Sequence, residues 1–175
     1  MARPLRRLAA VLSLSLSLIA AAGCGGAGGE SAGDPIAFDA CAPLPLLTDA
    51  GLTDAEAAGV VAGAALWNQR AGTHLMMAPD PGAVGLPIHF QNAAAPFHGF
   101  YDAPSGQVFI NTDLSGAALA VTIAHEIGHA FGLVHVPADQ RTSVMNPNNL
   151  VVEPTAQDID TLAMRWGVCL ASAAP

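Results

Sequence analysis

Apolar residues recur at steps of three and four in three segments of the chain, 53–72, 114–132 and 155–167. This spacing places them on one face of a helix, so each segment is predicted to be an amphipathic helix. A threonine is the predicted N-cap of the first and third helices, and Glu56 completes a capping box with Thr53 in the first. A glycine ends each of the three segments, as is common after a helix C-terminus.

Short apolar runs bounded by proline, glycine or aspartate predict strands at 73–78 and 86–91. The segment 97–113 is typical of an extended stretch, a turn at residues 104–106, and a strand from Val108 to Asn111. No segment of the chain is an internal repeat of another. The order of helix, strands, helix, loop and helix predicts an α+β domain with a small mixed sheet.

The composition narrows the classes of partner. The chain has 175 residues, with 14 acidic and six basic ones, and it contains no lysine. Three of its arginines lie in the first seven residues; without them, three arginines against 14 acids give a net charge of −11. Such a charge repels nucleic acid and anionic lipid head groups, whereas a bound divalent cation would offset part of it. We expect a monomer.

The first residues predict an exported protein. The arginine cluster is followed by an uncharged apolar run at 8–22, and together they form the pattern of a signal peptide over residues 1–23. The sequence "IAAAGC" resembles the lipobox of bacterial lipoproteins, in which Cys24 would carry the lipid. Ordinary cleavage after Ala22 is the alternative and would release a soluble protein. We therefore expect a lipoprotein at the cell envelope or outer surface, in contact with membrane only through Cys24, or alternatively a secreted protein.

The segment after Cys24 is rich in glycine and is predicted to be a flexible tether over residues 24–40, followed by a domain at 41–170. We expect ordered structure to start near Pro35. Cys41 and Cys169 lie near the two ends of the domain, and an isolated pair in an oxidising compartment favours a disulfide. The alternative hypothesis makes Cys41 an inhibitory thiolate ligand to a metal.

The sequence "HEIGHAFGLVH", from His125 to His135, holds half of the six histidines. His125 and His129 are four residues apart, so they project from one face of the predicted helix and can bind one Zn²⁺. Gly132 can take a positive φ and turn the chain back, which would bring His135 to the same ion. Three histidine ligands leave a fourth position for water, the arrangement of a catalytic site, and Glu126 is placed to hold that water.

These eleven residues match the HExxHxxGxxH signature of the metzincin metalloproteases at every defined position. The resemblance implies a metzincin-like (zincin) domain: a small twisted mixed sheet with three main helices, one of which carries the HExxH motif. "SVMNP" is similar to the Met-turn of that family, with Met145 beneath the metal. The short gap before Pro147 resembles the matrixin branch, in which Pro147 and Asn148 would wall the specificity pocket. Val136 departs from the serine that is usual in matrixins.

The predicted function is a zinc-dependent endopeptidase that uses a zinc-bound water, with Glu126 as general base. A peptide or protein substrate would add to a sheet edge within residues 93–102. Two alternatives remain: a lipid-anchored zinc-binding module without catalysis, and an amidase that acts on cell-wall peptides. One catalytic Zn²⁺ is expected. Calcium is possible on Asp80, Asp102, Asp113 and Asp139, but solvated surface acids explain these residues equally well, so no calcium site is claimed.

Overall fold

The computed structural model describes residues 35–78 and 82–169. The predicted signal peptide and the lipidation site Cys24 lie outside these residues, as does most of the predicted tether. None of the helices in the described part is both long enough and apolar enough to cross a membrane.

The domain consists of five strands and three helices. In chain order they are β1 (Pro43–Thr48), α1 (Asp54–Ala71), β2 (His74–Met77), β3 (Leu86–Gln91), β4 (Gly99–Asp102), β5 (Gln107–Asn111), α2 (Gly116–Ala130) and α3 (Ala156–Trp166). The strands form one sheet in the order β2-β1-β3-β5-β4. All neighbours are parallel except β4, which runs antiparallel to β5 at one edge. The prediction of a mixed sheet with three helices is confirmed.

The helix boundaries follow from their caps. The N–H of Thr53 donates to Glu56 at 2.8 Å and the side chain of Thr53 accepts from the N–H of Glu56, which is the predicted capping box. Gly72 ends α1 with a φ of 68°. Trp67 is fully buried, and its indole N–H donates to the carbonyl of Ala124 at 2.8 Å, so α1 is joined directly to α2.

The strand β1 was not predicted. Pro43 and Pro45 interrupt its leucines, and proline argues against a central strand because it lacks a backbone donor. The structure nevertheless places β1 between β2 and β3. β3 pairs with β1 only from Leu46 to Thr48, so both prolines precede the part that has neighbours on both sides.

The predicted tether is too long at its C-terminal end. Ile36 donates its N–H to the carbonyl of Ala103 at 2.8 Å, and Ala40 is only 1% exposed. Phe38 packs against the core and donates its N–H to the carbonyl of Ala130 at 2.8 Å. The packed domain therefore includes residues 36–40.

The two cysteines of the domain form a disulfide. Cys41 and Cys169 are joined with their Cα atoms 4.8 Å apart. Because the Cys41 sulfur is bonded to Cys169, it is not a thiolate ligand in this structure. The bond connects the start of the domain to the segment that follows α3.

Candidate metal centre

Three histidines converge at the C-terminal half of α2. The Nε2 atoms of His125 and His129 lie 3.1 and 3.2 Å from the Nε2 atom of His135. Ligands about 2.0–2.1 Å from a tetrahedral Zn²⁺ stand about 3.3–3.4 Å from one another, so the observed spacing is close to that of three zinc ligands. Among the described residues, these three form the one group of three or more side chains that could hold a metal ion.

The second nitrogen of two of these rings fixes the tautomer. The Nδ1 atom of His125 lies 2.7 Å from the carbonyl of Val144, and that of His129 lies 2.9 Å from the carbonyl of Leu133. A carbonyl only accepts hydrogen bonds, so Nδ1 carries the proton in both rings and each Nε2 presents a lone pair. Backbone carbonyls commonly orient metal-binding histidines in this way.

Burial favours the neutral form of the three rings, most strongly for His125. The pKa of His125 is lowered to about 4, chiefly by burial and also by the neighbouring histidines, against the opposing effect of the bond to Val144. Burial also lowers the pKa of His129 and of His135. Neutral imidazoles are the form that binds metals, and their converging lone pairs repel one another unless a cation lies between them. The donor set therefore fits Zn²⁺, and the three-histidine group could hold one zinc ion.

The turn after α2 brings His135 to the other two rings. Gly132 has a φ of 82°, in the left-handed region, as its sequence context predicts. Its N–H donates to the carbonyl of His129 at 2.8 Å, and the N–H of Leu133 donates to the carbonyl of Gly128 at 2.9 Å. These two bonds define a Schellman motif, which ends the helix and reverses the chain.

Met145 lies against α2 between the turns that carry the first two histidines. It is 1% exposed, and a Cβ atom on Gly128 would lie 2.5 Å from its sulfur. This close approach explains the glycine of "HEIGH", which sequence reasoning did not single out. Pro147 and Asn148 follow in an exposed loop, and Asn148 has a φ of 58°.

Glu126 lies beneath the edge strand β4 and is 5% exposed. Burial raises the pKa of its carboxyl to about 8, and the backbone N–H of Tyr101 acts in the opposite direction. A Cβ atom on Gly99 would lie 2.9 Å from the Oε1 atom of Glu126 and 2.9 Å from the Cγ2 atom of Thr122, so a larger residue there would require these side chains to shift. The predicted substrate edge, residues 93–102, contains this strand.

Sequence reasoning missed Asp158, a buried residue of α3 with no exposed surface. Its carboxylate accepts hydrogen bonds from Arg141 at 2.7 Å, from the Ser143 hydroxyl at 2.5 Å, from the Val144 N–H at 3.0 Å and from Thr155 at 2.9 Å. Burial raises the pKa of Asp158, but these hydrogen bonds together outweigh it and hold the pKa below its usual value.

The contact of Asp158 with Val144 links α3 to the metal centre, because the Val144 carbonyl orients His125. Asp158 is thus connected to His125 through one intervening residue, Val144. The sequence carries a signal for its local role, since Thr155 and Asp158 have the spacing of a capping box. It carries no signal for the contacts with the segment 141–144.

The remaining histidines and acids do not form a second centre in the described part of the chain. His89 instead pairs with Asp49, at 2.9 Å, and stacks on Phe109. Asp80, one of the acids considered for calcium, lies outside the described residues.

No protein-family model matches the sequence, and no curated protein matches it. The fold is similar to that of archaemetzincin from Methanopyrus kandleri, whose crystal structure aligns with a TM-score of 0.51 and 16% sequence identity. The alignment covers 70% of this chain and 94% of that one. At this identity the likeness shows a shared fold.

Proposed function

We propose that this chain is a zinc-dependent endopeptidase. The observation that carries the proposal is the convergence of three neutral imidazoles, with Nε2 atoms 3.1 and 3.2 Å apart, beside a buried carboxyl. A closed structural zinc site has four protein ligands, whereas three leave one position open. The fold shared with archaemetzincin agrees with this proposal.

A Zn²⁺ ion held by His125, His129 and His135 would supply a Lewis acid for the scissile carbonyl and make water more acidic. The carboxylate of Glu126 takes a proton from the attacking water and delivers it to the leaving amine. Burial alone favours the protonated acid, and a nearby cation favours the carboxylate that this step requires.

The edge strand β4 supplies a place for the substrate. It pairs with β5 on one side, and the sheet ends at its other side. An extended peptide can pair with a free strand edge through backbone hydrogen bonds, which do not depend on its side chains. The position of Glu126 beneath β4 supports this alignment, since a peptide on that edge would pass close to the carboxyl.

We further propose the matrixin-like branch and an exported location. The spacing of Met145 and Pro147 after His135 supports the branch, with Met145 as the Met-turn residue and with Pro147 and Asn148 along the specificity pocket. The pattern of residues 1–23 and Cys24 supports export as a lipoprotein, with secretion of a soluble form as the alternative.

The test compares the protein with Glu126→Gln, which keeps the size of the side chain but cannot accept the proton. Zinc content is measured together with cleavage of a quenched peptide library that includes cell-wall peptides. We expect about one zinc per chain in both proteins and a loss of cleavage of at least about 100-fold in the variant. The exposed Asp139→Asn is the matched control and should keep both properties.

The other outcomes decide between the alternatives. Zinc binding without cleavage in either protein would replace the endopeptidase with a zinc-binding module. Cleavage restricted to cell-wall peptides would replace it with an amidase. A wild-type protein without zinc would remove the metal centre altogether.

A further inference from the structure

The C-terminal end of α2 is held by residues from both ends of the domain. The last carbonyls of a helix have no partner within it and need donors from elsewhere. The turn at Gly132 satisfies two of them, as described above. The next two accept distant donors: the Ala130 carbonyl accepts the N–H of Phe38 at 2.8 Å, and the Phe131 carbonyl accepts the indole N–H of Trp166 at 2.8 Å.

The disulfide joins the two segments that carry these donors. Cys41 lies three residues after Phe38, and Cys169 lies three residues after Trp166. The Cys41 sulfur is also 3.8 Å from the carbonyl of Trp166. We call residues 38–41 and 166–169, with the disulfide between them, the terminal clasp.

The terminal clasp acts on the part of α2 that carries the metal ligands. Its acceptors Ala130 and Phe131 lie between His129 and Gly132, the residue at which the chain reverses toward His135. Without the two donors the last turn of the helix has unpaired carbonyls, and helix ends in that state fray. Fraying there would move His129 and His135 relative to His125.

We propose that the terminal clasp positions His129 and His135, so that the Cys41–Cys169 disulfide and the Trp166 indole N–H set the metal affinity of the site. Residues that orient metal ligands without touching the metal change affinity by about 10- to 100-fold when they are altered. The inference rests on the proposed function in one respect, namely that the three histidines bind zinc.

The experiment measures zinc affinity by competition with a chromophoric chelator and records the absorption spectrum of the Co²⁺-loaded protein. The variants are Cys41→Ser/Cys169→Ser, which opens the terminal clasp, and Trp166→Phe, which keeps an aromatic ring but removes the N–H. Met164→Ala is the matched control, because Met164 is on the same helix and 81% exposed. Far-UV circular dichroism establishes that each protein is folded.

We expect zinc affinity to fall by about 10-fold or more in both variants, while Met164→Ala stays within about twofold of wild type. The Co²⁺ spectrum at saturation should change in both variants as well. A loss of stability alone lowers apparent affinity through the unfolded fraction but leaves the saturated spectrum as it was. The spectrum therefore separates ligand positioning from general stability.

Two results would overturn the inference. If wild type binds zinc and Trp166→Phe keeps its affinity and its Co²⁺ spectrum, the terminal clasp does not position the ligands, and the endopeptidase proposal is unaffected. If wild type binds no zinc, both proposals fail together. Should the double cysteine variant not fold, Trp166→Phe decides the question by itself.

Discussion

The helices α1 and α3 begin with the same local motif in different surroundings. Thr53 and Glu56 form a capping box on α1, and Thr155 and Asp158 form one on α3, with threonine N–H to carboxylate distances of 2.8 and 2.9 Å. Among the described residues, the Glu56 carboxylate accepts hydrogen bonds from Thr53 alone.

Asp158 makes the same bonds but is completely buried, and it also holds the segment 141–144. The difference shows that the capping box determines where each helix begins. Whether its carboxylate makes further hydrogen bonds depends on the segment that packs over it. For Asp158 that segment includes Val144, whose carbonyl orients His125.

The largest effect is expected from Asp158→Ala. The substitution leaves Arg141 without its carboxylate partner and leaves Ser143 and Val144 without acceptors. Breaking a buried pair typically costs about 3–5 kcal/mol of unfolding free energy. Chemical denaturation of wild type and variant measures this difference. A loss below about 1 kcal/mol would mean that the capping box of α3 contributes no more to stability than that of α1.

A smaller and graded effect is expected from pH. The pKa of Asp158 is lower in the folded protein than its ordinary value of 3.8, so its ionised form stabilises the fold above that pH and the contribution is lost as pH falls below it. The difference in unfolding free energy between wild type and Asp158→Asn should be constant near neutral pH and shrink below 3.8. A difference that stays the same into strong acid would contradict the lowered pKa.

The smallest effect is expected from Glu56→Ala. This variant removes one half of an exposed capping box, and losses of this kind are about 0.5–1 kcal/mol. Zinc affinity should not change, because the Glu56 carboxylate bonds only to Thr53, whereas α1 meets the histidine-bearing turns of α2 at Trp67. Denaturation and chelator competition on the same preparation measure both quantities. A change in zinc affinity would remove the contrast between the two helices.

Much of the fold could be predicted from the sequence because its signals are local. The three helices have apolar periodicity, capping threonines and terminal glycines within their own residues, and all three occur where expected. The three histidines could be grouped because two are one helical turn apart and a single glycine brings back the third.

The features that were missed depend on contacts between distant residues. The strand β1 is stabilised by β2 and β3, which override the unfavourable prolines at 43 and 45. Asp158 and Trp166 reach the metal centre only because α3 packs beside the turns that hold the histidines. No spacing along the chain shows which helix covers those turns.

The sheet order and the disulfide together set a sequence of events for a nascent chain. Of the five strands, β1 is synthesised first, and it has no strand to pair with until residues 74–77 emerge. It becomes an inner strand only when residues 86–91 pair with its other side. Cys41 can form its disulfide only after Cys169, 128 residues later, has been synthesised. A translation product that stops before α3 would contain all three histidines and Glu126, yet it would lack Asp158, Trp166 and Cys169. The residues that orient His125 and cap the end of α2 are therefore among the last of the domain to be synthesised.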